Sequence, residues 1–215
     1  MSPVTDIEEH ESEPVEQLIA RFFRTLREKP SGRVLEIGCR NRTGVLKRAR
    51  VPSEWDYTGV DVEPGEGVDM VVDAHSLSKC FPPARFDAVF AMAVFEHLLM
   101  PWKAAVEIGK VLSNGGILLV ASHQSFPIHE YPWDYFRFSD RAYHSLFNRY
   151  TGFELLDAVM ACPARIVHEH RVPRLEGLDK MSAYLRSAAL ARKIGEPSVD
   201  WNVDVREVLN EPYPE

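Results

Sequence analysis

The chain has 215 residues, 45% of them hydrophobic and 27% charged, the proportions of a globular domain that can bury a core without disulfides or metal. A formal net charge of −7 with no dense Lys/Arg run sets its field against phosphate backbones, which excludes DNA and RNA as expected partners. The opening MSPVTDIEEHESE has neither the basic nor the apolar region of a signal peptide, and no apolar run reaches membrane-spanning length. A cytoplasmic protein with no membrane partner is expected. Cys39, Cys80 and Cys162 form no CxxC pair, so they are read as small buried side chains.

Residues 1–13 read as a flexible acidic start. Val15, Leu18, Ile19, Phe22, Phe23 and Leu26 then recur at helical spacing, with Ser12 and Pro14 as start signals and Pro30-Ser31-Gly32 as the stop. Apolar or β-rich runs follow at Arg33–Ile37, Tyr57–Val60, Val68–Val72, Phe86–Phe90 and Gly116–Ala121, separated by loops and helix-forming segments. Alternating β and α units imply a doubly wound parallel sheet with helices on both faces. Pro101–Leu112 carries Trp102, Ala105, Val106, Gly109 and Leu112 on one face and reads as a crossover helix ended by Ser113-Asn114-Gly115-Gly116. Ser139–Arg149 reads as a helix capped by Ser139, and Phe153–Ala161 and Arg165–His170 as two strands of an antiparallel edge. The domain is placed at residues 14–172. Residues 173–215 are expected to form a C-terminal helix, Leu178–Ile194, and an acidic tail serving as a lid or as the arm of a homodimer.

In an open parallel sheet, ligands sit beyond the carboxyl ends of the strands where strand order reverses. Four strand-to-helix loops carry polar groups there. In Val34-Leu35-Glu36-Ile37-Gly38-Cys39-Arg40-Asn41-Arg42-Thr43-Gly44 an apolar strand ends in an acid and a glycine that permits close backbone approach. Asp61 and Val62 end the second strand, where an acid can accept hydrogen bonds from two ribose hydroxyls. Asp73 and Ala74 follow the third, with Asp73 also placed to cap a helix starting near Ser76. The fourth loop, after Phe86-Asp87-Ala88-Val89, holds Glu96 and His97.

In their order and spacing from Val34 to Val120 these blocks, with Val111-Leu112-Ser113-Asn114-Gly115-Gly116, resemble the class I S-adenosylmethionine-dependent methyltransferases, of the type 11-like bacterial subgroup. The resemblance implies a Rossmann-like, mostly parallel seven-stranded sheet with a terminal antiparallel strand, and S-adenosylmethionine as cofactor. It implies cofactor contacts from Glu36, Gly38, Arg40, Asp61, Val62, Asp73, Ala74 and His97. The family's first loop reads acid-x-Gly-x-Gly-x-Gly. Here Arg40 and Arg42 replace its second and third glycines, so either Arg40 adopts a left-handed conformation at about 1–2 kcal/mol or Gly44 supplies the turn. A nicotinamide site would place pyrophosphate-cradling glycines where these arginines stand, which makes a dinucleotide oxidoreductase the remote alternative.

Methyl transfer from a sulfonium is an in-line displacement, and a hydroxyl acceptor also needs a base or a metal to take its proton. The polar and aromatic stretch Ser122–Ser139 beyond the fifth strand offers His129 or His123 as base, with Asp134 orienting the imidazole. Trp133, Tyr135 and Arg137 are expected to contact the acceptor, against the alternative that Asp134 and Arg137 form a structural ion pair. Pro132-Trp133-Asp134-Tyr135-Phe136-Arg137-Phe138 resembles bacterial methyltransferases suspected in sugar or natural-product tailoring. His123, His129, His168 and His170 with Glu130 and Asp134 show no diagnostic ligand spacing, and no metal is expected. The function read from the sequence is methylation of an oxygen or nitrogen of a small polar molecule, with a degenerate cofactor-binding module as the alternative.

Overall fold

The computed structural model describes residues 13–42, 44–170 and 172–208. The expected cap Ser12, the rest of the acidic start and the end of the tail lie outside the described residues.

Helix α1 (Pro14–Arg27) begins at a proline suited to a first helical position and buries Val15, Leu18, Ile19, Phe22, Phe23 and Leu26, the stripe its periodicity dictates. Strands β1 (Gly32–Ile37), β2 (Trp55–Asp61), β3 (Met70–Val71), β4 (Phe86–Met92) and β5 (Leu112–His123) are mutually parallel. Between them lie α2 (Leu77–Cys80) and the crossover helix α3 (Pro101–Val111). After β5 come the short α4 (Ala142–Leu146), β6 (Phe153–Ala164), β7 (Ala183–Lys193) and a last turn α5 (Val205–Val208). The seven strands form one sheet in the order β3-β2-β1-β4-β5-β7-β6, with β7 antiparallel to both neighbours. The chain runs outward from β1 through β2 to β3, then returns to β4 on the other side of β1. The reversal opens a crevice at the carboxyl ends of β1 and β4.

Side-chain alternation along the strands builds a core on each face. Val34, Phe90 and Leu119 face α1, while Leu35, Val89 and Leu118 face α3 and α4. Phe22 and Phe23 meet Phe90 edge to face at 5.9 and 5.4 Å between ring centres. No helix among the described residues is long and apolar enough to cross a membrane.

Several expectations are corrected. Leu178–Ile194 is not a helix: its central part is strand β7, which lies between β5 and β6, so the sheet extends past residue 172 to Lys193. Arg165–His170 is not a strand, and β6 pairs with β7 instead. The helix read over Ser139–Arg149 is only α4, although Ser139 Oγ does accept from the Ala142 backbone N–H at 3.3 Å. The strand at Val68–Val72 shrinks to two residues. Of the cysteines, Cys39 is buried but Cys80 is exposed.

Candidate active site

The β1 loop turns at Gly38, whose φ is +75° and where a β-carbon would lie 2.2 Å from Val94 Cγ2. Only glycine fits both the dihedral and the space. The N–H groups of Gly38 and Cys39 donate to the Val60 carbonyl at 2.8 and 3.2 Å, tying the loop to β2. Arg40 is not left-handed. The second positive φ in this stretch is at Gly44, so the alternative turn is the one used and the expected strain at Arg40 is absent.

Asp61 ends β2 with its carboxylate accepting from the Arg40 N–H at 3.3 Å and the Glu63 N–H at 3.0 Å. Two backbone donors thereby fix the carboxylate at the crevice. Glu36 is not in the cavity wall. Its buried carboxylate accepts from Tyr57 Oη at 2.6 Å and stands 3.8 Å from Lys47 Nζ, and burial raises its pKa above the ordinary value against the pull of those partners.

Asp73 is a cap as well as a cavity residue: Oδ1 accepts from the His75 N–H at 2.9 Å and lies 2.6 Å from His75 Nδ1. His75 Nε2 accepts from the Met100 N–H at 3.2 Å, so its proton sits on Nδ1 and is donated to Asp73. Burial works to raise the Asp73 pKa, but the bonds from His75 outweigh it and the carboxyl stays below its usual range.

The β4 loop contributes Ala93, Val94, His97 and Leu98 to the wall. Glu96, fully buried, accepts from Ser122 Oγ at 2.7 Å and has its other oxygen 3.4 Å from His123 Nε2. His97 Nδ1 donates to the Trp133 carbonyl at 2.7 Å, and the His97 ring meets that of His129 edge to face at 4.8 Å. His123 stacks on Phe126 at 4.2 Å, and its ring centre is 5.6 Å from that of His129. Burial pushes the His123 pKa down, more than the nearby Glu96 charge raises it.

In the loop after β5 the structural alternative holds for Asp134 and Arg137. Asp134, with its side chain 1% exposed, takes two hydrogen bonds from Arg137 at 2.5 and 2.7 Å, and that guanidinium holds its pKa far below the usual carboxylate range. Arg137 also donates to the carbonyls of Phe126, Pro127 and Phe136, so its fork is spent on the loop. Asp134 accepts from the His129 backbone N–H at 2.9 Å and lies 3.4 Å from its Nδ1, so it positions that histidine. Tyr135 does not line the cavity, and its backbone N–H donates to the Glu96 carbonyl at 2.8 Å.

These loops enclose a cavity of about 440 Å³, within the usual range for small-molecule sites. Gly38, Arg40, Asp61 and Val62 line one side, Asp73 and Ala74 another, and His97, His123, His129 and Trp133 the remainder. Lys47, Met92 and Phe126 also line it, as do Arg42 and Glu130, whose 2.8 Å ion pair joins the first loop to the last. Lys47, Met92 and Phe126 carried no sequence signal for the site, while Arg42 stood out only as a departure from the first-loop glycines and Glu130 only in a ligand set without diagnostic spacing. Ala93 and Glu130 hold left-handed φ of +56° and +53° in the wall, the kind of backbone strain that collects at functional sites.

A family model described as a methyltransferase domain matches residues 7–167, well over half of the chain. The chain belongs to the methyltransferase-domain family. Solved structures of similar fold include a SAM-dependent methyltransferase from Archaeoglobus fulgidus, 17% identical with TM-score 0.55, covering 86% of this chain and 97% of that one. They also include the [4+2]-cyclase SpnF, 22% identical with TM-score 0.56 and coverage of 84% and 83%. The CurJ carbon methyltransferase is 17% identical with TM-score 0.54 and coverage of 84% and 53%. At these identities the likeness shows the fold alone. No curated protein matches the sequence. The methyltransferase domain is an enzyme that uses S-adenosylmethionine, and its cavity fits that group: Gly38 permits close approach and Asp61 offers a fixed anion opposite a cluster of imidazoles.

Proposed function

We propose that the methyltransferase domain methylates an oxygen or nitrogen of a small polar acceptor bound at the histidine end of its cavity. The cofactor supplies a methyl group on a sulfonium, which departs as a neutral thioether when a lone pair attacks in line. In this reading Asp61 accepts from the ribose hydroxyls, Asp73, Ala74 and Val62 border the adenine, and the Gly38–Arg40 backbone borders the amino-acid end. The observation that carries the acceptor assignment is the convergence of His97, His123 and His129 on one end of the wall. The Nδ1 atoms of His97 and His129 face carbonyl oxygens, of Trp133 at 2.7 Å and Pro127 at 3.2 Å, which can only accept. Each neutral ring therefore keeps its Nε2 lone pair to take the proton an acceptor loses. The net charge of −7 supports a small molecule over a nucleic acid, and sugar or natural-product intermediates offer such hydroxyls and amines.

The test has two parts. S-adenosylhomocysteine at about 100 times its Kd should stabilise the protein by about 2.7 kcal/mol, several degrees in Tm. A screen of hydroxyl and amine acceptors with methyl-labelled cofactor should then find turnover that His129→Ala nearly abolishes while cofactor affinity is kept. Turnover unchanged by His129→Ala would sink the role of the histidine end, and absence of any Tm shift would favour the degenerate module.

A further inference from the structure

The same cluster contains a buried carboxylate oxygen with no hydrogen-bond donor. Glu96 is 0% exposed, and its Oε1 has no hydrogen-bond partner among the described residues, while Ser122 satisfies Oε2. A buried carboxylate oxygen without a donor is costly, and the neighbour placed to relieve it, His123 Nε2, stands at 3.4 Å, beyond good hydrogen-bond geometry. That separation is instead the one expected between two ligands of a tetrahedral ion, about 3.3–3.4 Å for bonds of about 2.0–2.1 Å. One potential ligand atom from each of Glu96, His123 and His129 lies within 4.8 Å of the other two.

We propose that Glu96, His123 and His129 bind one divalent transition-metal ion of the zinc class at the acceptor end of the cavity. Two imidazoles and a carboxylate are the donor set of catalytic zinc and of related first-row metals, and three protein ligands leave a position open. His129 has the support that metal-bound histidines usually carry, since its Nδ1 lies beside the Pro127 carbonyl and 3.4 Å from Asp134. His123 turns its Nε2 toward the unsatisfied Glu96 Oε1, 3.4 Å away, so the two atoms can share one ion. The cavity beside the cluster gives the ion an entry path and leaves room for an acceptor oxygen on the open position. There the metal would ease loss of the hydroxyl proton, and with His129 Nε2 taken up by the ion, His97, whose Nδ1 donates to Trp133, is the neighbouring imidazole left to receive it. The inference rests on the histidine end being the acceptor site, but binding is read without turnover.

Tag-free protein, stripped with chelator, would be titrated with Zn²⁺ by calorimetry and with Co²⁺ by visible absorption. One ion per chain is expected, with ligand-field bands of a four- or five-coordinate N/O site. His129→Ala and Glu96→Gln should each weaken Zn²⁺ binding at least about 100-fold. The part-exposed His129 keeps the test valid if the Glu96 variant does not fold, and His144→Ala, at an exposed histidine outside the cluster, should bind as the parent does. Absence of stoichiometric binding, or binding that survives in His129→Ala, would overturn the proposal. Turnover that resists chelator yet is lost in His129→Ala would overturn the metal and leave the proposed function standing.

Discussion

At Gly38 the positive φ and the 2.2 Å approach to Val94 act together, so a single methyl group is opposed twice. The left-handed conformation alone costs an alanine about 1–2 kcal/mol, and relieving the contact displaces Val94 and the loop that holds Glu96 and His97. Gly38→Ala should therefore lower Tm and weaken S-adenosylhomocysteine binding together, as read by thermal melts with and without the ligand. Retained affinity would show that the loop has room the geometry denies. Gly38 and Asp61 were legible because a tight turn and an acid at a strand end leave plain marks in a sequence. The Glu96–His123 pairing left none: the two residues are far apart in the chain and meet only because β4 and β5 are parallel neighbours.

Strand β7 shows the limit of local pattern. Its run Ser187-Ala188-Ala189-Leu190-Ala191-Arg192-Lys193 is rich in helix formers, yet it pairs with β5 on one side and β6 on the other. Propensity differences of a few tenths of a kcal/mol per residue yield to two ladders of hydrogen bonds and burial of both faces. Alanine suits the place, since Ala189 is 1% exposed in the core. Ala189→Leu should be destabilising by about 1–3 kcal/mol through overpacking, measured by denaturant unfolding. A helix at this position would tolerate the change. The loop after β5 is held in the same way by contacts between its own residues, centred on the part-buried Asp134–Arg137 pair. Arg137→Ala leaves Asp134 without its partner and should cost about 1–3 kcal/mol while loosening His129 and its turnover. A variant of parental stability would return Arg137 to the substrate-contact role expected from the sequence.

Across the whole molecule, the shifted carboxylates shape stability against pH. Asp134 and Asp73 have folded pKa values below their unfolded ones, so their contribution is complete above about pH 4 and is lost as pH falls through the folded values. Glu36 has the opposite sign: its raised folded pKa means that protonating it stabilises the fold as pH drops from neutral toward its unfolded value near 4.5. Tm should therefore peak in the mildly acidic range and fall steeply below about pH 4. Asp134→Asn should flatten that acid limb, and an unchanged limb would show that other carboxylates control it.

The sequence by itself determined the α/β class, the two-faced sheet, the amphipathic first helix, the methyltransferase family and several of the strand-end residues that line the cavity. Those features rest on short-range periodicity and on residues at strand ends, which a linear pattern records. Tertiary structure alone decided that residues 183–193 are a strand rather than a helix, that the Glu36 carboxylate is buried against Tyr57 outside the cavity lining, and that Arg137 pairs with Asp134 and the loop carbonyls. It also decided which histidines meet. Each of these outcomes depends on partners distant in sequence competing for the same hydrogen bonds, space or charge, and that competition is settled only when the sheet brings them together.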